Sequence, residues 1–323
     1  MGNSEKKSVE MRAVFGNTLA HLMEQDPRIL LVDADLARAN GTLSFKEKFK
    51  DRAFNVGIQE ANMVCFAAGL ASYDFIPVIS TFAPFATRRI FDQVTISVSY
   101  ANSNVKIIGS DPGVAAEING GTHMSFEDAG LMRTLPNMVI FEPCDNLQFE
   151  KALPKIIEYK GPVYVRMFRK VCPDIFSEDY QFDLFKADKL RDGKDVTLFA
   201  SGVLMKPALD AAVTLSEKGI SAEVINIHTW KPIDKEAILE SVKKTGCAVT
   251  CENHNIINGL GSAVSDVTSE NYPVPVLRVG VQDRFGVVGK LDYLMEKLNL
   301  TAGDIVAKAE EVIRLKESFR GRS

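Results

Sequence analysis

The sequence predicts an α/β fold of two doubly wound, mostly parallel-sheet domains. Short β-branched runs alternate with amphipathic stretches along most of the chain. That alternation implies crossover connections and sheets covered on both faces. The pattern breaks once, after Arg166, and then resumes. A length of 323 residues suits two domains or one large one.

The first predicted strands are Ile29–Val32, Phe54–Val56, Ile76–Ser80, Val105–Gly109, Met138–Glu142 and Val163–Arg166. Helical patterns lie between them, at Arg12–Glu24, Glu60–Tyr73, Pro84–Ala101, Ser125–Leu135 and Asn146–Tyr159. Residues 171–195 are rich in Asp, Lys and Phe without a steady period, and read as a linker across a surface. The second series has strands near Val196–Ala200, Ala222–Ile227, Ala248–Cys251 and Val276–Val279. Its helices fall near Leu204–Lys218, Asp234–Lys244, Leu260–Asn271 and Lys290–Leu298, with a charged helix after Thr301. The expected division is a lead-in over 1–10, one domain over 11–185 and a second over 186–323.

Composition narrows the function. With 46% hydrophobic and 25% charged residues, the chain reads as an ordinary globular protein. A net charge of -4 and the lack of a basic block argue against nucleic acid. No apolar run is long enough for a membrane span. The start, Met1-Gly-Asn-Ser-Glu-Lys-Lys, lacks the apolar core of a secretory signal. The five cysteines are scattered and odd in number, which suits reduced thiols in a cytoplasmic protein.

Four clusters carry candidate chemistry. In Gly57-Ile-Gln-Glu60, a carboxylate opens an almost wholly apolar helix. A lone glutamate there could simply complement the helix dipole. The apolar continuation, expected to be buried on all sides, makes a dedicated partner more telling. Gly57 and Gly69 would allow close backbone approach. An acid so placed suits proton exchange with a ring nitrogen.

Next, Thr81-Phe82-Ala-Pro-Phe85-Ala-Thr-Arg88 puts two aromatic rings three residues apart. They are either core packing or a flat apolar wall for a ring. Third, Ser110-Asp111 begins a long loop ending in Asn119-Gly-Gly-Thr-His123. Loops at the C-terminal ends of strands bind ligands in open α/β sheets. Fourth, Arg166 and Arg169 close a strand and point to opposite sides. Each offers a planar fork for phosphate, sulfonate or carboxylate, or else closes a salt bridge.

Taken in order, these residues resemble the transketolase family. The resemblance extends through Leu31-Val-Asp-Ala-Asp35, Glu142-Pro-Cys-Asp145, Trp230-Lys-Pro-Ile-Asp, Cys251-Glu-Asn-His254 and Val281-Gln-Asp-Arg284-Phe-Gly. It covers the pyrimidine-binding and C-terminal domains. It implies thiamine diphosphate as cofactor and transfer of a two-carbon ketol unit between sugars. By the same resemblance, Glu60 matches the glutamate that protonates the pyrimidine. Phe82, Phe85, Arg88 and Asp35 fall to the cofactor pocket. Arg12, Ser110, Asp111, Asn119, His123 and Arg169 fall to the sugar, with His123 handling its protons and hydroxyls. His254 is assigned either to an interface or to a structural role.

Departures fall on the acceptor side. Ser110 stands where the family has His, Asn119 where it has Asp, and Ala39 where it has a phosphate-contacting Ser. The usual pentose phosphate specificity is therefore in question, and an unusual phosphorylated, deoxy, branched or sulfonated sugar is expected. The Gly-Asp-Gly and Asn signature for the cofactor's diphosphate and Mg²⁺ does not occur in the chain. A separate N-terminal subunit carrying it is the expected partner, in an α2β2 heterotetramer. The alternatives are the β subunit of a 2-oxo acid dehydrogenase, a split deoxyxylulose-phosphate synthase, and a non-catalytic regulatory homologue.

Overall fold

A computed structural model describes residues 9–320; residues 1–8 of the expected lead-in lie outside it. The first half begins with α1 (Met11–Gln25), β1 (Ile29–Asp33), the single turns α2 (Ala37–Asn40) and α3 (Phe45–Lys48), and β2 (Ala53–Asn55). It continues through α4 (Glu60–Ala71), β3 (Ile76–Phe82), the short α5 (Ala83–Ala86) and α6 (Phe91–Gln93), and β4 (Lys106–Ser110). Then come α7 (Asp128–Arg133), β5 (Val139–Phe141), α8 (Asn146–Glu158) and β6 (Val163–Met167). The second half opens with β7 (Asp188–Arg191), β8 (Val196–Ala200), α9 (Met205–Glu217), β9 (Ala222–Asn226), β10 (Thr229–Lys231) and α10 (Lys235–Thr245). It closes with β11 (Ala248–Asn255), α11 (Leu260–Asn271), β12 (Val276–Val281), α12 (Leu291–Lys297) and α13 (Ala302–Arg320).

Two mostly parallel sheets result, as the alternation predicts. The first has the order β10-β5-β6-β4-β3-β1-β2, and the second β12-β11-β8-β9-β7. Each carries one antiparallel edge strand: β10 against β5, and β7 against β9. Both edge strands depart from the sequence reading. β7 lies inside the stretch read as a linker, because its mixed Asp-Lys-Leu-Arg side chains suit a half-exposed edge. β10 belongs to the second half by sequence but completes the first sheet.

Burial explains the clearest elements. Every residue of β1, β4 and β6 is buried, as expected of strands covered on both faces. α1 buries Met11, Phe15, Leu19 and Met23 at a helical repeat. Beside Phe15, Gly16 permits a close approach: a Cβ there would lie 2.4 Å from the Gly41 carbonyl oxygen. That contact brings α2 against the start of α1, where Arg12 sits.

Two helix expectations need correction. The stretch Pro84–Ala101 is not one helix. Thr87, at φ -126° and ψ -90°, interrupts it. A 3₁₀ turn (Arg88–Ile90), α6 and a π turn (Val94–Tyr100) follow. Nor is α4 buried on all sides: Met63, Val64 and Ala67 are buried, while Cys65, Phe66 and Gly69 are exposed. No side chain crowds Gly57 or Gly69, so neither mediates a close approach within this chain. Gly57 is needed instead for its φ of +76° in the turn entering α4.

Candidate active site

The C-terminal ends of β1, β3, β4 and β6 assemble the site. The turn before α4 places Glu60 at the helix's first position, with only 4% of it exposed. Phe82 ends β3, and Phe85 follows one turn later in α5. Their ring centroids are 6.0 Å apart. The imidazole of His123 meets both rings edge-on, at 5.9 Å from Phe82 and 5.3 Å from Phe85. The Thr122 hydroxyl lies 2.9 Å from His123 Nδ1.

An arginine lies over each of the two phenyl rings. The Arg169 guanidinium lies 4.9 Å from the Phe82 centroid. The Arg89 guanidinium lies 3.6 Å from the Phe85 centroid and donates to Glu60 Oε1 at 2.7 Å. Arg89 is the residue that the sequence reading missed. Arg88, the neighbour it named, donates instead to Glu127 and to the Thr122 carbonyl, both at 2.8 Å, and so ties down the His123 loop. The interruption at Thr87 separates these two tasks, and an unbroken helical repeat gives no sign of it.

Arg169 Nε donates to buried Asp111 at 2.6 Å. Burial raises the pKa of Asp111, and the Arg169 charge works against that rise. Arg169 and Arg12 also converge on the Ala39 carbonyl oxygen, at 3.2 and 3.4 Å. Ser110 donates to buried Asn40 at 2.8 Å, beneath the same turn. Thus Arg12, Ser110, Asp111 and Arg169 cluster around residues 39–40. Asn119 is exposed at the outer end of its loop.

Asp35 stands apart. It lines a cleft of about 540 Å³ with Asp33, Arg38, Lys46 and Asn55, and that lining includes neither Glu60 nor the two Phe rings. Its backbone N–H donates to Asn55 at 3.2 Å. Asp33 is buried at the start of the turn, and burial pushes its pKa up to about 6.

Arg166 turns out to be internal. It is fully buried, donates to Asp128 and Glu142 at 2.7 and 2.6 Å, and reaches the Asn253 carbonyl at 2.8 Å. Burial opposes its charge, but the two carboxylates outweigh that and raise its pKa. His254 is buried beside this network. Gly130 N–H donates to its Nε2 at 3.1 Å, and its Nδ1 faces the Asn255 carbonyl at 2.7 Å. Burial lowers its pKa to about 4. It is therefore a structural histidine within the chain. Asn253 pins the loop after β4 from the other side, accepting from Val114 N–H and donating to Pro112, both at 2.9 Å.

Among the described residues, no group of three or more His, Cys, Asp or Glu is arranged to hold a metal ion. No helix of the described residues is long and apolar enough to cross a membrane.

Comparison with known proteins matches this architecture. The transketolase pyrimidine binding domain matches residues 7–173, and the transketolase C-terminal domain matches 185–305. The 6-deoxy-6-sulfo-D-fructose transketolase subunit SqwH of Clostridium sp. (strain MSTE9) is 49% identical over 310 residues, 96% of either chain. A subunit of the apulose-4-phosphate transketolase of Phocaeicola vulgatus is 36% identical, over 95% of this chain and 98% of its own. A solved structure described as a split gene transketolase, inactive beta4 tetramer, shares 42% identity and a TM-score of 0.87. That match covers 96% of this chain and 99% of the other. The chain belongs to the transketolase family, of which it carries the pyrimidine-binding and C-terminal domains.

Proposed function

We propose that this chain is the pyrimidine-binding subunit of a split, thiamine diphosphate-dependent transketolase that moves a two-carbon ketol unit between anionic sugars. The observation that carries the reading is the meeting of Glu60, Phe85, Phe82 and His123 in one constellation. The residues present fit the cofactor's aminopyrimidine. Phe85 already accepts a flat, nitrogen-bearing group on its face, and Glu60 already accepts an N–H from that group. When bound, the cofactor supplies the carbanion chemistry of ketol transfer.

The chain's own residues then have distinct tasks. Glu60 exchanges a proton with a ring nitrogen, and Phe82 and Phe85 hold the ring and exclude water. His123, edge-on to both rings, faces the sugar's reacting hydroxyls. Arg169 and Arg12 bind its anionic end, where the Arg169 fork suits a phosphate or a sulfonate equally. The name of the relative at 49% identity makes a sulfonated hexose the first sugar to test.

A second subunit supplies the diphosphate and Mg²⁺ site. Support comes from relatives of matching length that are themselves named as subunits. The exposed side chains on α4 and the adjacent π turn, Phe66, Ile96 and Tyr100, offer an apolar face for assembly. We place the assembled enzyme in the cytoplasm as an α2β2 heterotetramer.

Reconstitution with the partner tests the proposal. Glu60→Gln should assemble normally and lose ketol transfer by at least about a hundredfold, the scale of one positioned acid. Near-normal turnover by Glu60→Gln would sink the assignment.

A further inference from the structure

We infer that Arg89 is a removable placeholder for the aminopyrimidine: it stacks on Phe85 and satisfies Glu60 until the cofactor arrives. The inference rests on the cofactor reading above, which takes Arg89 only as a sign of what Glu60 and Phe85 accept, and gives Arg89 a task of its own.

Three observations converge. First, the Arg89 guanidinium carbon lies 3.6 Å from the Phe85 ring centroid, which leaves no room for a second ring on that face. Second, its Nη1 donates at 2.7 Å to Glu60, and Arg89 is the sole hydrogen-bond partner of that side chain among the described residues. Glu60 is almost entirely buried, so removing its donor would strand a carboxylate away from water. Third, the Arg89 side chain is itself 43% exposed, and Glu60 is its only acceptor among the described residues. A long side chain half in solvent swings out at little cost.

The two ends of this contact are therefore unequal. Glu60 and Phe85 need an occupant, whereas Arg89 does not need them. A planar donor that contacts both can displace it, and the displaced guanidinium returns to water. Meanwhile Arg89 gives the Glu60 carboxylate a donor and covers the Phe85 ring. Arg88 cannot substitute, because it is committed to Glu127 and Thr122.

Calorimetric titration of thiamine diphosphate and Mg²⁺ into the assembled two-subunit complex tests this. Arg89→Ala and Arg89→Ser should each tighten cofactor binding about two- to fivefold, the factor released when a weak stacked ion pair no longer competes. The lone Arg89→Ala chain should also melt about 2 °C or more lower than wild type, because Glu60 loses its donor. Unchanged or weaker cofactor binding by both folded variants, alongside normal wild-type uptake, overturns the placeholder and leaves the cofactor reading standing. A wild-type complex that takes up no thiamine diphosphate overturns both.

Discussion

Arg169 does two things that a mutation can separate. Its Nε holds buried Asp111, and its guanidinium lies over Phe82 with one edge toward the Ala39 carbonyl. Loss of the fork should weaken binding of an anionic sugar by the strength of a charge-assisted bond pair. For Arg169→Ala we expect KM to rise about 10- to 100-fold, with a far smaller change in cofactor affinity. The same change strands Asp111, so the variant should also lose stability. Adding Asp111→Asn should recover stability without recovering KM. Steady-state kinetics beside urea unfolding distinguishes the two, and an unchanged KM in Arg169→Ala removes it from the sugar site. The place of Arg169 just past a strand end drew attention to it but left a sugar contact and a salt bridge open. Arg89 drew none, because nothing local distinguishes it from Arg88.

At the scale of elements, the turn leaving β1 shows how burial becomes pH dependence. The Asp33 carboxylate accepts Leu36 N–H at 2.6 Å, which favours its charge, yet burial dominates and lifts its pKa to about 6. A carboxyl raised in the folded state above its ordinary 3.8 contributes stability that is fully present below pH 3.8. That stability is lost as pH rises through 6. Asp33→Asn removes the titration. Relative to wild type it should gain about 1–2 kcal/mol between pH 4 and pH 7, by urea unfolding at each pH. An equal difference at both pH values would refute this. His228 and His254, both lowered to about 4 by burial, tilt the whole chain the opposite way. The variant-minus-wild-type difference isolates Asp33 from them. The interrupted stretch after β3 belongs to this scale too. Its composition reads as one helix, and only packing against β4 and α4 shows where it breaks.

For the molecule as a whole, the buried Arg166 network joins the halves. It connects α7 and Glu142, just after β5, of the first half through β6 to the β11 backbone of the second. Burial favours protonation of Glu142, whereas Arg166 overcomes burial at Asp128 and holds that carboxyl below its ordinary range. Truncation leaves two acids buried without their cation. Arg166→Ala should therefore cost about 3–5 kcal/mol in urea unfolding. A loss below about 1 kcal/mol would mean that water replaces the guanidinium. The second half also backs the His123 loop: Gly121 and Gly120 pack beneath the Gly286 carbonyl and Val288. Movement between the halves would therefore reach the candidate site.

By itself, the sequence determined the α/β class, where the buried strands fall along the chain and the turn that presents Glu60. Those features follow from local pattern: continuous apolar runs, helical repeats and a glycine at positive φ. It also singled out Phe82, Phe85, His123 and Arg169, through their place in the motifs that resemble the transketolase family. Tertiary structure alone decided the rest. It separated Arg166 from Arg169, gave Arg89 and Arg88 different partners, set Asp35 in a different cleft and lent β10 to the other sheet. These outcomes depend on which distant group lies within hydrogen-bond reach. Distances between remote segments are fixed by the packing of whole elements, and no local spacing encodes them.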